Sequence, residues 1–251
     1  MPIAPPELIL LVVGAIVAGF VQGLSGFAFS MVAMSFWVWG LDPKIASVMA
    51  VFGSLSGQVI ASVSVRRKLH VRTLWPYLAG GLLGIPLGVY LLPSLDPNLF
   101  KLALSLILIV WCPLMLISGQ LPCVALGGRL ADALAGALGG FMGGLGGITG
   151  AIPTLWTTLR GLEKEEQRAV IQNFNLATLA VTLVAYVLTG VVTMTMLPLF
   201  PVIVLALWLP AKLGVRVYMR LPQAHFRRLV LLLLTCSGIT MLLAALPKVL
   251  S

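Results

Sequence analysis

The chain has 251 residues, 60% hydrophobic and 9% charged, with 16 Lys+Arg against 7 Asp+Glu and a formal charge of +9. Soluble domains carry about 25% charged residues, so this one lacks the polar surface that water requires, and a soluble enzyme or a secreted disulfide domain is excluded. A mean hydropathy of +1.09, with charge confined to clusters between apolar stretches, is the pattern of an all-α polytopic integral membrane protein.

The apolar runs fall at about 8–39, 46–65, 74–93, 99–118, 131–159, 169–189, 195–215 and 229–247. The first follows Met-Pro-Ile-Ala-Pro-Pro-Glu, with no basic n-region, so it reads as a membrane segment rather than a cleaved leader. It has 32 residues, too many for one upright crossing at 1.5 Å per residue, and it is interrupted by Gly19-Phe-Val-Gln-Gly-Leu-Ser-Gly26. Run 46–65 carries Ser54, Ser56 and Gln58 and ends on a basic cluster at 66–72. Run 131–159 has 29 residues and its own interruption, Gly140-Phe-Met-Gly-Gly-Leu-Gly-Gly-Ile-Thr-Gly150, followed by Pro153 and Thr154. Run 169–189 carries Gln172, Asn173, Asn175 and Thr178, and a second basic cluster lies at 212–228. The other runs are about 20 residues long, one crossing each.

The two overlong runs are related. At an offset of 121, seven of the 23 positions in 19–41 are identical, from Gly19 to Gly40-Leu41, without a gap. Leu87-Gly88 and Leu213-Gly214 match at an offset of 126. The chain therefore reads as a duplication, residues 1–120 and 121–251, forming one integrated transmembrane domain.

Charge then orients the halves. If each long run is one tilted helix, there are eight crossings in parallel halves, and Lys and Arg divide 10 to 6 between the faces. If each long run folds back at its glycines, the split is 13 to 3, and only Lys44, Lys101 and Lys248 oppose the majority. The positive-inside rule favours the second arrangement. It predicts two inverted repeats, each with a glycine-broken long helix or hairpin plus three transmembrane helices, about eight transmembrane segments in all. The basic face is cytoplasmic and the termini lie outside. The +9 marks that face and does not indicate nucleic-acid binding.

Helices broken inside a membrane expose backbone N–H groups, which form an anion site reinforced by the helix-terminus dipole. The predicted substrate-lining residues are Gln22, Gly23, Ser25, Gly26 and Ser54 in the first repeat, and Gly144, Gly147, Thr149, Gly150 and Asn175 in the second. The bland alternative is packing, because Gly139/Gly143 and Gly143/Gly147 are GxxxG pairs that can simply seat a neighbouring helix. No ionisable side chain falls in the middle of any run; Glu7 and Asp132 stand at entrances, and His70 and His225 in loops. That excludes a buried carboxylate relay of the usual kind and leaves no catalytic set, metal ligand cluster or cofactor motif. Any coupled proton would travel with the substrate or use a loop-edge group such as Asp132. Cys112, Cys123 and Cys236 read as small buried hydrophobes. Among the tryptophans, Trp39, Trp75 and Trp156 are predicted interfacial anchors and Trp37 a gate.

Gly19–Gly26, its partner Gly140–Pro153, the polar helix with Asn173 and Asn175, and Leu221-Pro222-x-x-x-Phe226-Arg227-Arg228 together resemble the TauE/SafE family of membrane permeases, the sulfite exporters, across essentially the whole chain. The resemblance implies a multi-pass protein of the plasma membrane moving sulfite, sulfoacetate or a related small organosulfur or organic anion. The partners expected are that anionic solute and the lipid bilayer; a homo-oligomer is compatible with the sequence, which assigns it no seam. A passive anion channel and a non-transporting membrane scaffold are the competing functional classes. The first would show flux without saturation, the second none.

Overall fold

The computed structural model describes residues 4–64, 70–117, 128–218 and 223–250. The basic residues at 66–68 and 220, Cys123, Leu221–Pro222 and the predicted repeat boundary at 120/121 lie outside these. Among the described residues the chain forms α1 Pro5–Ser25, α2 Phe29–Trp37, α3 Pro43–Ser64, α4 Val71–Leu91, α5 Pro97–Ile117, α6 Gly128–Gly146, α7 Ala151–Leu159, α8 Lys164–Leu188, α9 Leu199–Tyr218 and α10 Gln223–Leu250.

Five stretches among these residues are long and apolar enough to cross a membrane: Pro5–Ser25, Val71–Ser94, Pro97–Ile117, Glu165–Leu188 and Met194–Val217. α3 has the length, 22 residues, but spends part of it on Ser47, Ser54, Ser56 and Gln58. Leu83, Leu188 and Leu205 are 80%, 81% and 77% exposed on outward faces, a surface that only lipid accommodates. The molecule is an all-α, multi-pass membrane protein.

Both overlong runs are broken at one glycine. α1 stops where Gly26 turns left-handed (φ +86) and its N–H closes on the Gln22 carbonyl at 2.7 Å. α6 stops where Gly147 does the same (φ +74), its N–H closing on Gly143 at 2.7 Å. A side chain is strained in that conformation, so glycine is the residue that lets both helices end there.

After each stop the chain doubles back. Trp37 at the end of α2 donates its indole N–H to the Leu11 carbonyl of α1 at 3.1 Å, its ring filling the space left by Gly14. In the second run Trp156 of α7 donates to Asp132 of α6 at 2.8 Å, and Pro153 packs on Gly139. Each run is thus a helical hairpin with a long leg, a short leg and a glycine tip.

Glycine also brings the hairpins' long legs onto the remaining helices. Gly80, Gly84 and Gly88 of α4 lie against the backbone of Ala133, Ala137 and Phe141 of α6; Gly136, Gly140 and Gly144 reciprocate against Tyr77, Gly81 and Ile85. Rising numbers meet rising numbers, so α4 and α6 run parallel. α1 lies on α9 in the same way, with Gly19 at Leu207 and Gly23 at Ala211 and Gly214. In lipid, where association has no hydrophobic drive, close backbone approach through small residues supplies the attraction. α5 and α10 pack on each other, Gly238 against Leu108.

Candidate functional site

The two hairpin tips meet inside the protein. A Cβ placed on Gly150, at the second tip, would lie 3.1 Å from the Cβ of Phe27, at the first, and 2.9 Å from the Asn175 amide nitrogen. One placed on Gly147 would lie 2.6 Å from Ser30 Oγ of α2 and 3.2 Å from the Val51 Cα of α3. Trp111 of α5 is set against both tips: its indole donates to the Ala151 carbonyl at 2.7 Å, and its ring stands edge-on to Phe27 at 5.8 Å.

Around this contact the polar side chains form two groups. Thr149 Oγ1 donates to Asn175 Oδ1 at 2.8 Å, tying the second tip to α8; the two residues are 2% and 1% exposed. At the first tip Gln22 donates its amide to the Ser54 carbonyl at 2.9 Å, Ser54 and Ser30 share a hydroxyl hydrogen bond of 2.6 Å, and Gln58 donates to the Gly26 carbonyl at 2.6 Å. Ser25 Oγ accepts from the Ala28 N–H at 3.2 Å and the Phe27 N–H at 3.4 Å, shaping the turn into α2. The α2 and α7 N-termini therefore start at the meeting point. The N–H groups of a helix's first turn have no intrahelical acceptor, and the dipole there attracts negative charge.

Positive charge also reaches the first tip. The Arg168 guanidinium of α8 lies 4.0 Å from where a Cβ of Gly26 would be. Arg168 stands seven residues before Asn175, two helical turns away on the same face of α8.

Eight of the predicted residues gather here: Gln22, Ser25, Gly26, Ser54, Gly147, Thr149, Gly150 and Asn175. Gly23 and Gly144 do not. They lie where α9 and α4 pack closely against the long legs. Of the other amides, Gln172 reaches Ser62 at 2.9 Å, and Asn173 bonds back to Ala169 of its own helix at 2.8 Å. Sequence reasoning noted Gln58 without placing it among the lining residues, and did not bring Phe27, Trp111 or Arg168 to this point. For Trp111 the available signal was a tryptophan in mid-run, far from any interfacial belt.

Asp132, at the entrance of the second long run, is tied into the fold. Asp132, 3% exposed, accepts from Arg160, from Tyr77 Oη at 3.0 Å and from Trp156 at 2.8 Å, fastening the open end of the second hairpin. Trp156 is thereby turned inward, whereas Trp39 and Trp75 are 46% and 64% exposed, as anchors are. Trp37 is fully buried as the corresponding fastener of the first hairpin. Cys112 is buried and Cys236 exposed.

The family model described as sulfite exporter TauE/SafE matches residues 10–241. The chain belongs to the TauE/SafE family. The second hairpin, the first apart from the start of α1, and every residue at the meeting of the tips fall within the matched span. TauE/SafE proteins are transporters rather than enzymes, and among the described residues no group of three or more His, Cys, Asp or Glu is placed to hold a metal ion. Searches of curated proteins and of solved structures found no match.

Proposed function

We propose that this TauE/SafE chain is a secondary transporter that moves a small anion, such as sulfite, sulfoacetate or a related organosulfur or organic anion, across the plasma membrane by alternating access. The observation that carries the reading is the meeting of two glycine-broken hairpins at their tips, Gly150 against Phe27, with two helix N-termini starting there. Backbone N–H groups at the tips bind the anion, with Thr149, Asn175 and Ser25 arranging them and Arg168 adding charge. No buried carboxylate among the tip residues opposes a negative ligand.

The chain is read as two inverted repeats, 1–120 and 121–251, with about eight transmembrane segments. Three features support this. The same offset of 121 relates Gly26 to Gly147, and both break a helix with the same backbone turn. Contacts come in corresponding pairs: α1 on α9 answers α6 on α4, and α5 packs on α10. Within those pairs Gly23 meets Gly214 and Gly144 meets Gly88, the partners that the two offsets predict. Inverted repeats crossing at broken helices near the midplane are the architecture of alternating access.

Counterflow tests the function. Proteoliposomes loaded with unlabelled sulfite should take up labelled sulfite faster than empty ones, and sulfoacetate should compete while a neutral solute does not. A carrier shows this exchange; a channel gives flux without acceleration by internal substrate, and a scaffold gives none.

A further inference from the structure

The first tip holds two buried acceptors that no described residue satisfies. Gln22 and Gln58 are 2% and 1% exposed, and Oε1 of each has no hydrogen-bond partner among the described residues. Their orientation is fixed by chemistry, because only the NH2 half of each amide can donate to the carbonyls of Ser54 and Gly26. The oxygens are therefore the halves left over. Both belong to one ring of bonds. Gln22 holds Ser54, Gln58 lies one turn beyond Ser54 on α3 and holds Gly26, and the Gly26 N–H returns to the Gln22 carbonyl. Gln22 Oε1 fills the place that a side chain on Gly57, the neighbour of Gln58, would take.

A buried carbonyl oxygen left bare is costly, so each of the two calls for a donor from beyond the described residues. The duplicated half does not repeat these amides: at the offset of 121, Gly143 and Leu179 stand where Gln22 and Gln58 stand, and its own buried oxygens without a partner among the described residues, on Thr154 and Thr182, are hydroxyls. The two amides are thus not required to build a hairpin of this kind. Arg168 beside Gly26 disfavours a cation as the missing partner and favours an anion.

Resting on the transporter reading, we infer that the site takes an anion that keeps a hydrogen of its own, a monohydrogen oxyanion such as hydrogen sulfite. Its negative oxygens face the tip N–H groups and Arg168, and its O–H donates to one of the two Gln oxygens. A fully deprotonated oxyanion presents only lone pairs to those oxygens and leaves them unpaired. Discrimination follows, since a site built to bond a hydroxyl rejects the analogue that lacks it. No bond is made or broken. The proton crosses as part of the anion, so none of the chain's carboxylates has to carry it.

The test is a competition panel against labelled sulfite efflux from wild-type proteoliposomes at one fixed mildly acidic pH, with lumenal pH followed by a trapped dye. Bicarbonate and dihydrogen phosphate carry a donor; sulfate and methanesulfonate do not. The expected result is that donor-bearing anions compete about 5- to 150-fold more strongly, and that the lumen alkalinises as the hydrogen anion leaves. Gln22→Met and Gln58→Met, checked for monodispersity, should each narrow the preference; the wild-type panel decides even if both misfold. Saturable efflux with sulfate and methanesulfonate competing equally overturns the inference and leaves the carrier intact. Efflux that requires sodium and shows no donor preference assigns the oxygens to a co-transported cation and also overturns it. No saturable flux of any anion removes the transporter reading, and this inference with it.

Discussion

Gly150→Ala isolates the approach of the two tips. Gly150 has φ −82 and ψ −10, a right-handed conformation that alanine adopts freely. The substitution therefore adds no backbone strain, unlike a change at Gly147. What it adds is one methyl group, 2.9 Å from Asn175 Nδ2 and 3.1 Å from Phe27 Cβ. The Asn175 amide is held by Thr149 and Phe27 is backed by Trp111, so neither retreats without cost. Overpacking of this kind costs about 1–3 kcal/mol, against about 0.4–1 kcal/mol returned by restricting the unfolded chain. Net stability should fall by no more than about 2.6 kcal/mol, leaving a folded protein. Transport should suffer more than stability. If the methyl destabilises the state in which the tips touch by about 1–3 kcal/mol, carrier turnover falls about 5- to 150-fold. The assay pairs thermal unfolding in detergent with initial rates of sulfite efflux per folded protein. A variant with wild-type rate and KM would show that tip contact plays no part in the cycle.

Three further outcomes follow from named contacts. Thr149→Val keeps the side chain's shape but deprives buried Asn175 Oδ1 of its donor; stability should drop by about 1–3 kcal/mol and the KM for the anion should rise, read by melting and by flux. Asp132→Asn removes the charge that Arg160, Tyr77 and Trp156 all address; thermal unfolding should register a loss of about 1.5–3 kcal/mol, while turnover of the folded fraction stays within about twofold. Gly88→Leu would drive a side chain into the backbone of Phe141 and Gly144; size-exclusion chromatography should show aggregated protein, because the α4–α6 contact cannot form.

How much of this was legible in the sequence varies by residue. The membrane class followed from composition, and the two breaks from glycines inside runs too long to cross once. Gly26 and Gly147 were readable because a left-handed helix stop tolerates few residues other than glycine. Asn175 was readable because an amide in lipid needs an interior partner. Gly23 and Gly144, predicted together with the tip glycines, lie against α9 and α4 instead, for a physical reason. Tip glycines and crossing glycines look alike in one dimension, and only the partner helix, α9 or α4, tells them apart. Arg168 was hidden because a basic residue near a loop reads as topology signal, and its closeness to Gly26 exists only in three dimensions. Trp156 was read as an interfacial anchor and Trp37 as a gate, but each turns inward to fasten a hairpin, on the Asp132 carboxylate and the Leu11 carbonyl respectively.

The central claim is that an anion crosses where the glycine tips meet, and efflux of labelled sulfite from proteoliposomes tests it most directly, with wild type beside Gly147→Leu. At Gly147 a side chain must adopt φ +74, at about 1–2 kcal/mol, and must displace Ser30 Oγ and the Val51 backbone. Saturable efflux in the wild type, competed by anions and lost in a variant that still inserts and stays monodisperse, is the predicted result. Wild-type efflux from Gly147→Leu would contradict the placement of the site, and absence of saturable anion flux from folded wild-type protein would contradict the carrier itself.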